Sequence, residues 1–466
     1  MKSVALHNLG CKVNSYEIEV MQQMLQEKGY QIVPFDTAAD IYIINTCTVT
    51  NIADRKSRQM LHRARTRNPD AVVVAVGCYV QTGREDVEKD PAIDLAVGNN
   101  RKKDLVAILE EFLEKREGSA DKTLHGTSVI DVNQNCAYEE MTLKQTSEHT
   151  RAYIKIQDGC NQFCSYCIIP YARGRVRSRK CEDILKEVRG LAEAGYQEVV
   201  LTGIHISSYG IDFDDGLWRS GVSVEAKLEE GRRDYRGRTK LIDLVERIHQ
   251  VEGITRIRLG SLEPRIVTRE NAQRLAALPR LCPHFHLSLQ SGCDSTLKRM
   301  NRHYTAGEYF QCVELLREVF GNPAITTDVI VGFPGETQEE FDVTKAFLEK
   351  VEFYEMHVFK YSKRQGTNAA AMPDQIPEQV KAARSSELIA LEQVQSKDFR
   401  RRYIGKEAEV LFEETKEIEG ISYQLGHTKD YVKVALETGE NLSNCLKRIK
   451  ITDFLTDEIL NCISLH

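Results

Sequence analysis

The stretch Tyr153-Ile-Lys-Ile-Gln-Asp158-Gly-Cys160-Asn-Gln-Phe-Cys164-Ser-Tyr-Cys167 runs a short β-pattern straight into three cysteines spaced four and three residues apart. It is the first of six strand-like runs, YIKIQD, EVVLTG, RIRLGSLEP, HFHLSLQSG, TTDVIVGFPGE and MHVFKYS. Helical patterns separate them at 182–194, 241–251, 269–278, 306–320 and 337–350. Repeated strand–helix units with right-handed crossovers build a parallel sheet that closes, or partly closes, as a barrel. Six units predict a partial (β/α)6 barrel over residues 145–375, within an α/β fold class.

Three thiolates in one loop can hold three irons of a cubane cluster and leave the fourth iron open for chemistry. Zinc is the competing metal, but a structural zinc wants four closed ligands. Cys181 is the nearest additional thiol, and the basic run between makes it a poor fourth ligand. Bystander thiols are the remaining alternative.

Upstream, SVALHNLG, IYIINTC and VVVAVGC alternate with helices at about 15–28, a basic helix, and LVAILEEFLEK. This order predicts a small parallel-sheet domain over residues 1–118. Cys11, Cys47 and Cys78 each end one of its strands. Ligands sit at that edge of open parallel sheets, so the three would converge in space although far apart in sequence. Buried structural thiols are the bland alternative. Cys136, Cys181, Cys282, Cys293, Cys312, Cys445 and Cys462 show no metal-like spacing and read as core or surface thiols.

Residues 118–150 read as a polar linker. Residues 211–239 interrupt the barrel pattern with seven acids, six bases and the only tryptophan, Trp218, and read as a solvated insertion. After Pro377 a glycine-free helix runs to about Tyr403. Four short runs follow, EAEVLFEE, ISYQLGHT, DYVKVALE and CLKRIKITDF, which predict a small β-barrel of the kind that holds single-stranded nucleic acid, giving a third unit at 376–450.

The 466 residues, 41% hydrophobic and 28% charged, exclude a mainly disordered chain. The longest apolar run, 71–80, is well short of the roughly 18 residues of a membrane span, and a cytoplasmic protein is expected. A net charge of 63 − 69 = −6 excludes a wholly basic nucleic-acid binder. Three basic runs stand out locally: 55–67 with six Lys or Arg, 173–180 with five, and 397–406 with five against Asp398. Such runs are often solvated faces; together they fit a track for an RNA backbone, with Tyr171, Tyr423 and Tyr431 available to stack bases.

The motif at Cys160, Cys164 and Cys167, with Tyr166 before the last cysteine, resembles that of the radical S-adenosylmethionine superfamily. The resemblance implies a 4Fe-4S cluster whose open iron chelates S-adenosylmethionine, and reductive cleavage to a 5′-deoxyadenosyl radical. NLGCKVNSYE, INTCTVT and AVGCYVQ resemble the three cysteine motifs of the methylthiotransferases, implying a second 4Fe-4S cluster at Cys11, Cys47 and Cys78. RGRVRSR, LTGIHISSYG, LGSLEP, LSLQSGCDSTLKRMNR and DVIVGFPGET extend the likeness, and ISYQLGHTKDYVKV is similar to a TRAM domain. The 211–239 insertion departs from the family pattern. GCKVN with NTCTVT is similar to the branch that methylthiolates carbon 2 of N6-threonylcarbamoyladenosine at tRNA position 37. Another modified adenosine, a ribosomal protein, or RNA binding without turnover are the alternatives. The same resemblance implies a tRNA anticodon stem-loop and an external electron donor as partners, with the chain expected as a monomer.

Strand ends facing the cluster are the expected cofactor contacts: Gly203 where a backbone approaches closely, Glu263 for amino or hydroxyl groups, and Gln290 for polar contacts. Gly332 and Gly335 around Pro334 read as a turn.

Overall fold

The structure is a computed structural model, and it describes residues 1–118, 125–134, 137–145, 150–213 and 240–465. Trp218, Cys136 and most of the 211–239 insertion lie outside the described residues.

The N-terminal unit is a six-stranded parallel sheet in the order β2-β1-β3-β4-β5-β6, with β1 Ser3–Asn8, β2 Gln31–Val33, β3 Ile41–Thr46, β4 Val72–Gly77, β5 Leu95–Val97 and β6 Gly126–Ser128. IYIINT and VVVAVG are buried at every position because helices cover both faces of a parallel sheet. Order reverses between β1 and β3, which opens a crevice at their carboxyl ends. Three strands escaped the pattern reading: β2, β5 and β6 are three residues each, too short for periodicity to register. Strand β6 lies inside the stretch expected to be a linker, so the sheet extends past residue 118.

All six expected core strands form: β7 Arg151–Asp158, β9 Glu198–Gly203, β10 Arg256–Leu259, β11 His284–His286, β12 Ala324–Val331 and β13 Glu355–Lys360. A two-residue antiparallel strand, β8 Arg177–Ser178, adds an edge to β7. The sheets β10-β9-β7-β8 and β11-β12-β13 are stitched by the parallel bridges Ile257–Leu281 and Leu262–Leu287, giving one curled, open sheet. Alternate residues of β7, Ala152, Ile154 and Ile156, enter the core under the outer helices, which aims Tyr153, Lys155 and Gln157 into the lumen. The N-terminal unit's first helix, Lys12–Glu27, packs against β7 and β9, and its Glu17 meets Lys155 on that inner face. One side of the open barrel is thereby filled by the other unit.

The helix Glu378–Arg401 leads into a closed barrel ordered β14-β15-β16-β18-β17, with β14 Glu407–Ile418, β15 Ile421–Thr428, β16 Lys433–Glu437, β17 Leu446–Phe454 and β18 Leu460–Ser464. Its closing strand, β18, lies beyond the expected limit at 450: LNCIS is short and half polar, and pairs parallel to β16. The barrel docks on the amino ends of the core strands, where Arg256 donates to the Glu409 and His427 carbonyls and Arg258 to that of Lys429.

Candidate active site

Cys160, Cys164 and Cys167 lie in one loop after β7. Gly159, at φ +70°, has the Arg175 carbonyl 1.8 Å from where a Cβ would stand, so no side chain fits. Across the barrel, residues 299–302 hold the loop. Ser165 donates from its backbone to the Met300 carbonyl (3.0 Å) and from its hydroxyl to that of Arg299 (2.8 Å), and Asn301 donates to the Phe163 carbonyl at 2.9 Å. The Arg302 guanidinium donates to the Cys164 sulfur at 3.2 Å, and the Gln162 amide to the Cys160 sulfur at 3.4 Å. Burial raises the Cys160 thiol and pushes Cys167 up to about 12. A metal bound here would displace these protons.

The second trio forms from three strand ends. Cys11 caps the first helix after β1, Cys47 follows β3, and Cys78 begins a short helix after β4. Gly10, at φ +107°, places the first loop so tightly on the second that a Cβ would touch the Cys47 Cβ at 2.9 Å. Asn99 donates to the Cys78 sulfur at 3.4 Å and to the Ala172 carbonyl at 2.7 Å, joining this site to the short helix Ile169–Arg173 that follows the other loop. Burial pushes the Cys47 thiol up to about 12.

Neither trio is drawn together around a single ion. Sulfurs around one tetrahedral zinc lie about 3.8 Å apart, given Zn–S bonds of about 2.3 Å. Among the described residues, the set of three ligating atoms within 4.8 Å of one another is His286, Asp328 and His357, and neither thiol trio closes that far. Three sulfurs spaced more widely than one zinc allows leave room for a polynuclear cluster at each site.

Between the sites lies a buried ion network. Arg173 is 1% exposed and donates to Glu17 (2.9 and 3.0 Å), Asp158 (3.1 Å) and the Asn14 side chain (2.6 Å). Lys155 pairs with both Glu17 and Asp158 at 2.6 Å, and Lys102 with Glu17. Asn14 in turn donates to the Leu9 and Thr46 carbonyls, which flank Cys11 and Cys47. Burial alone would raise both carboxyls; Arg173, Lys102 and Lys155 outweigh it at Glu17, and Lys155, Arg173 and Arg177 at Asp158, so both stay ionised.

Of the expected cofactor contacts, Glu263 is 3% exposed; one oxygen receives Arg265 at 2.5 Å and the other is buried with no partner, leaving an acceptor in the lumen wall. Gln290 sits at φ +73°, with its backbone amide on the Asp328 carbonyl at 2.8 Å. Gly203 does meet a close backbone, but that of Gln157, whose carbonyl would lie 2.9 Å from an added Cβ; strand packing accounts for this glycine. Gly332 and Gly335 take φ of +68° and +72°, as a turn around Pro334 requires.

The expected RNA track needs correction. Of the run 173–180, Arg173, Arg177 and Arg179 are buried, the last paired with Glu187, and only Arg175 and Lys180 reach the surface. Charge runs do not reveal acids distant in sequence, and Glu17, Asp158 and Glu187 consume this one. Tyr423 is in the C-terminal barrel's core. Tyr431 is caged by His427 and His284 at centroid distances of 4.5 and 5.1 Å, with Arg151 and Arg258 over its ring. Tyr171 is 45% exposed and stays available, as do Arg55, Lys56 and Arg58 on the helix Asn51–Arg67. In the third run, Arg400 is buried against Glu355, and Lys397, Arg401 and Arg402 make exposed pairs.

Asn14, Asn99 and Arg302 were not expected as site residues. Asn14 had one signal, its place one helical turn from Cys11; the others come from distant segments.

A family model described as the radical SAM superfamily matches residues 154–348, and one described as uncharacterized protein family UPF0004 matches 3–98. The chain is 40% identical over 452 residues to the threonylcarbamoyladenosine tRNA methylthiotransferase MtaB of Bacillus subtilis, covering 97% of this chain and 94% of that one. It is 39% identical to the Aquifex aeolicus protein of the same name, covering 88% and 92%. It is 34% identical to the tRNA-2-methylthio-N(6)-dimethylallyladenosine synthase of Carboxydothermus hydrogenoformans, covering 97% of each. Among solved structures, the radical S-adenosylmethionine methyltransferase TsrM of Kitasatospora setae shares the fold at a TM-score of 0.51 and 15% identity, over 77% of this chain and 72% of that one. No helix among the described residues is long and apolar enough to cross a membrane. With two three-thiol sites at the ends of two parallel sheets and relatives matched along almost their whole length, the chain belongs to the radical S-adenosylmethionine methylthiotransferase family.

Proposed function

We propose that this protein adds a methylthio group to carbon 2 of N6-threonylcarbamoyladenosine at position 37 of tRNA. The observation that carries the reading is the pair of three-thiol sites, one on a single loop and one at three strand ends, set on either side of one short helix, Ile169–Arg173, and tied together through Asn99 and Arg173. Cys160, Cys164 and Cys167 would hold one 4Fe-4S cluster, and Cys11, Cys47 and Cys78 the other. With S-adenosylmethionine bound and an external electron donor, the first cluster supplies a primary carbon radical able to act on a C–H bond that no side-chain base can deprotonate.

The remaining work belongs to the chain. The free oxygen of Glu263 accepts a hydrogen bond from the cofactor's amino or ribose hydroxyl groups, while Gln290 offers an amide from the adjoining strand end. Arg302 places positive charge beside the Cys164 sulfur and offsets the charge of thiolate ligation. The curled sheet and the helix Lys12–Glu27 wall the space between the two loops, keeping the adenine against both and water out. Arg55, Lys56, Arg58 and Tyr171, exposed around the mouth, receive the RNA backbone and a stacked base.

The test is mass spectrometry of nucleosides from tRNA carrying threonylcarbamoyladenosine, incubated without oxygen with iron- and sulfide-reconstituted protein, S-adenosylmethionine and dithionite. Gain of CH2S on that nucleoside is expected. Gain on dimethylallyladenosine alone, or 5′-deoxyadenosine with no modified nucleoside, would overturn the reading.

A further inference from the structure

The lumen between the thiol loops contains more charge than the cofactors explain. Lys12, one residue after Cys11, extends its ammonium within electrostatic reach of Arg151, Arg258, Asp328 and Glu198. The other four already have partners. Arg258 is held by Glu198 at 2.8 Å, Arg151 by Glu413 at 3.0 Å, and Asp328 by His286 at 3.2 Å. Lys12 is exposed, and the described residues supply it with no hydrogen bond or ion pair. Beside Asp328, His357 on β13 is exposed and stacks on His286 at 5.7 Å, the polar atoms of His286, Asp328 and His357 lying within 4.8 Å of one another.

Asp328 fixes where this space lies. It is within electrostatic reach of Arg302, whose guanidinium touches the Cys164 sulfur, while Lys12 adjoins Cys11. A base held between the two sites with its N6 substituent pointed down the lumen, toward the amino ends of the strands where Arg151 and Glu198 begin β7 and β9, would reach these groups.

We infer that Lys12, with His357 as a second donor, forms a carboxylate-binding subsite that selects the threonylcarbamoyl substituent. This rests on the function proposed above and names how its substrate is recognised. The substituent ends in a carboxylate and a hydroxyl. The carboxylate pairs with the ammonium, and the Asp328–His286 pair accepts from the hydroxyl or the urea N–H. A dimethylallyl group would instead leave the ammonium in a narrowed cleft with neither water nor anion, so the same residue selects for one substrate and against the other.

The test uses the reconstituted full chain and two anticodon stem-loop RNAs, one with threonylcarbamoyladenosine and one with its carboxylate as the methyl ester. Wild type is expected to prefer the acid over the ester by about tenfold or more in kcat/KM, chiefly through KM, with the same preference in Kd measured by filter binding. In Lys12→Gln that ratio falls toward one, and Lys12→Arg restores most of it; His357→Phe lowers it less. Equal handling of acid and ester by wild type overturns the subsite. So does a Lys12→Gln defect of the same factor on both RNAs, which would place Lys12 with the Cys11 cluster. Methylthiolation of neither RNA by wild type would instead overturn the proposed substrate.

Discussion

The two thiol sites present the same ligands by opposite means. Cys160, Cys164 and Cys167 lie within eight residues on one loop, shaped by Gly159 and braced by four contacts from 299–302 across the barrel. Cys11, Cys47 and Cys78 come from the ends of three strands, so their geometry is that of the whole N-terminal sheet. The first site is a motif and the second is a topology. A local loop tolerates change elsewhere, whereas a site spread over a sheet reports on every element that sets its strands.

The sharpest break is to remove one ligand from each. Cys164→Ala should abolish 5′-deoxyadenosine formation by chromatographic assay, while Cys47→Ala should keep it and abolish sulfur insertion, each variant losing about half its iron. Deoxyadenosine formed at the wild-type rate by Cys164→Ala would reverse the assignment of roles.

Next in size is the shared network. Arg173→Met leaves Glu17 and Asp158 buried with one cation fewer, and should cost about 3–5 kcal/mol in urea unfolding. Both iron sites should weaken together, which separates Arg173 from residues that serve one loop alone. The same carboxyls predict a pH dependence. Their folded pKa values lie below the unfolded ones, so the stability they give is complete above about pH 5 and is lost as pH falls through and below about pH 4. A urea midpoint that stays flat down to pH 3 would show that the network contributes little.

Gly77→Ala tests the topological site on its own. Gly77 takes φ +100°, and a Cβ there would meet the Asn45 amide oxygen at 2.8 Å. A loss of about 1–3 kcal/mol is expected, with iron lost from the N-terminal site and deoxyadenosine formation preserved. The smallest effect belongs to the surface: Lys56→Ala and Arg58→Ala should each reduce the slope of log Kd for tRNA against log salt by about one unit or less.

This contrast explains what could be read from the sequence. The CxxxCxxC loop and the six core strands were legible because ligands and apolar periodicity are close in sequence. The N-terminal trio was legible only in outline, through strand ends and resemblance to known motifs. What closes that site, Asn14 reaching two carbonyls from different loops and Asn99 bridging Cys78 to Ala172, comes from pairings that no local pattern records. The basic run at 173–180 was misread for the same reason, since its buried arginines answer acids at 17, 158 and 187. Strands β6 and β18 were missed because three to five half-polar residues have no periodicity to detect.

Arg173 gives the assembly of this protein a sense of order. One side chain grips Asp158, just before the Cys160 loop, and Asn14 and Glu17, just after Cys11, so whatever firms one site lowers the entropy still to be lost by the other. Binding equilibria coupled in this way are reciprocal: filling either site raises affinity at its neighbour by the same factor. At equilibrium such coupling leaves less of the half-filled protein than two independent sites would.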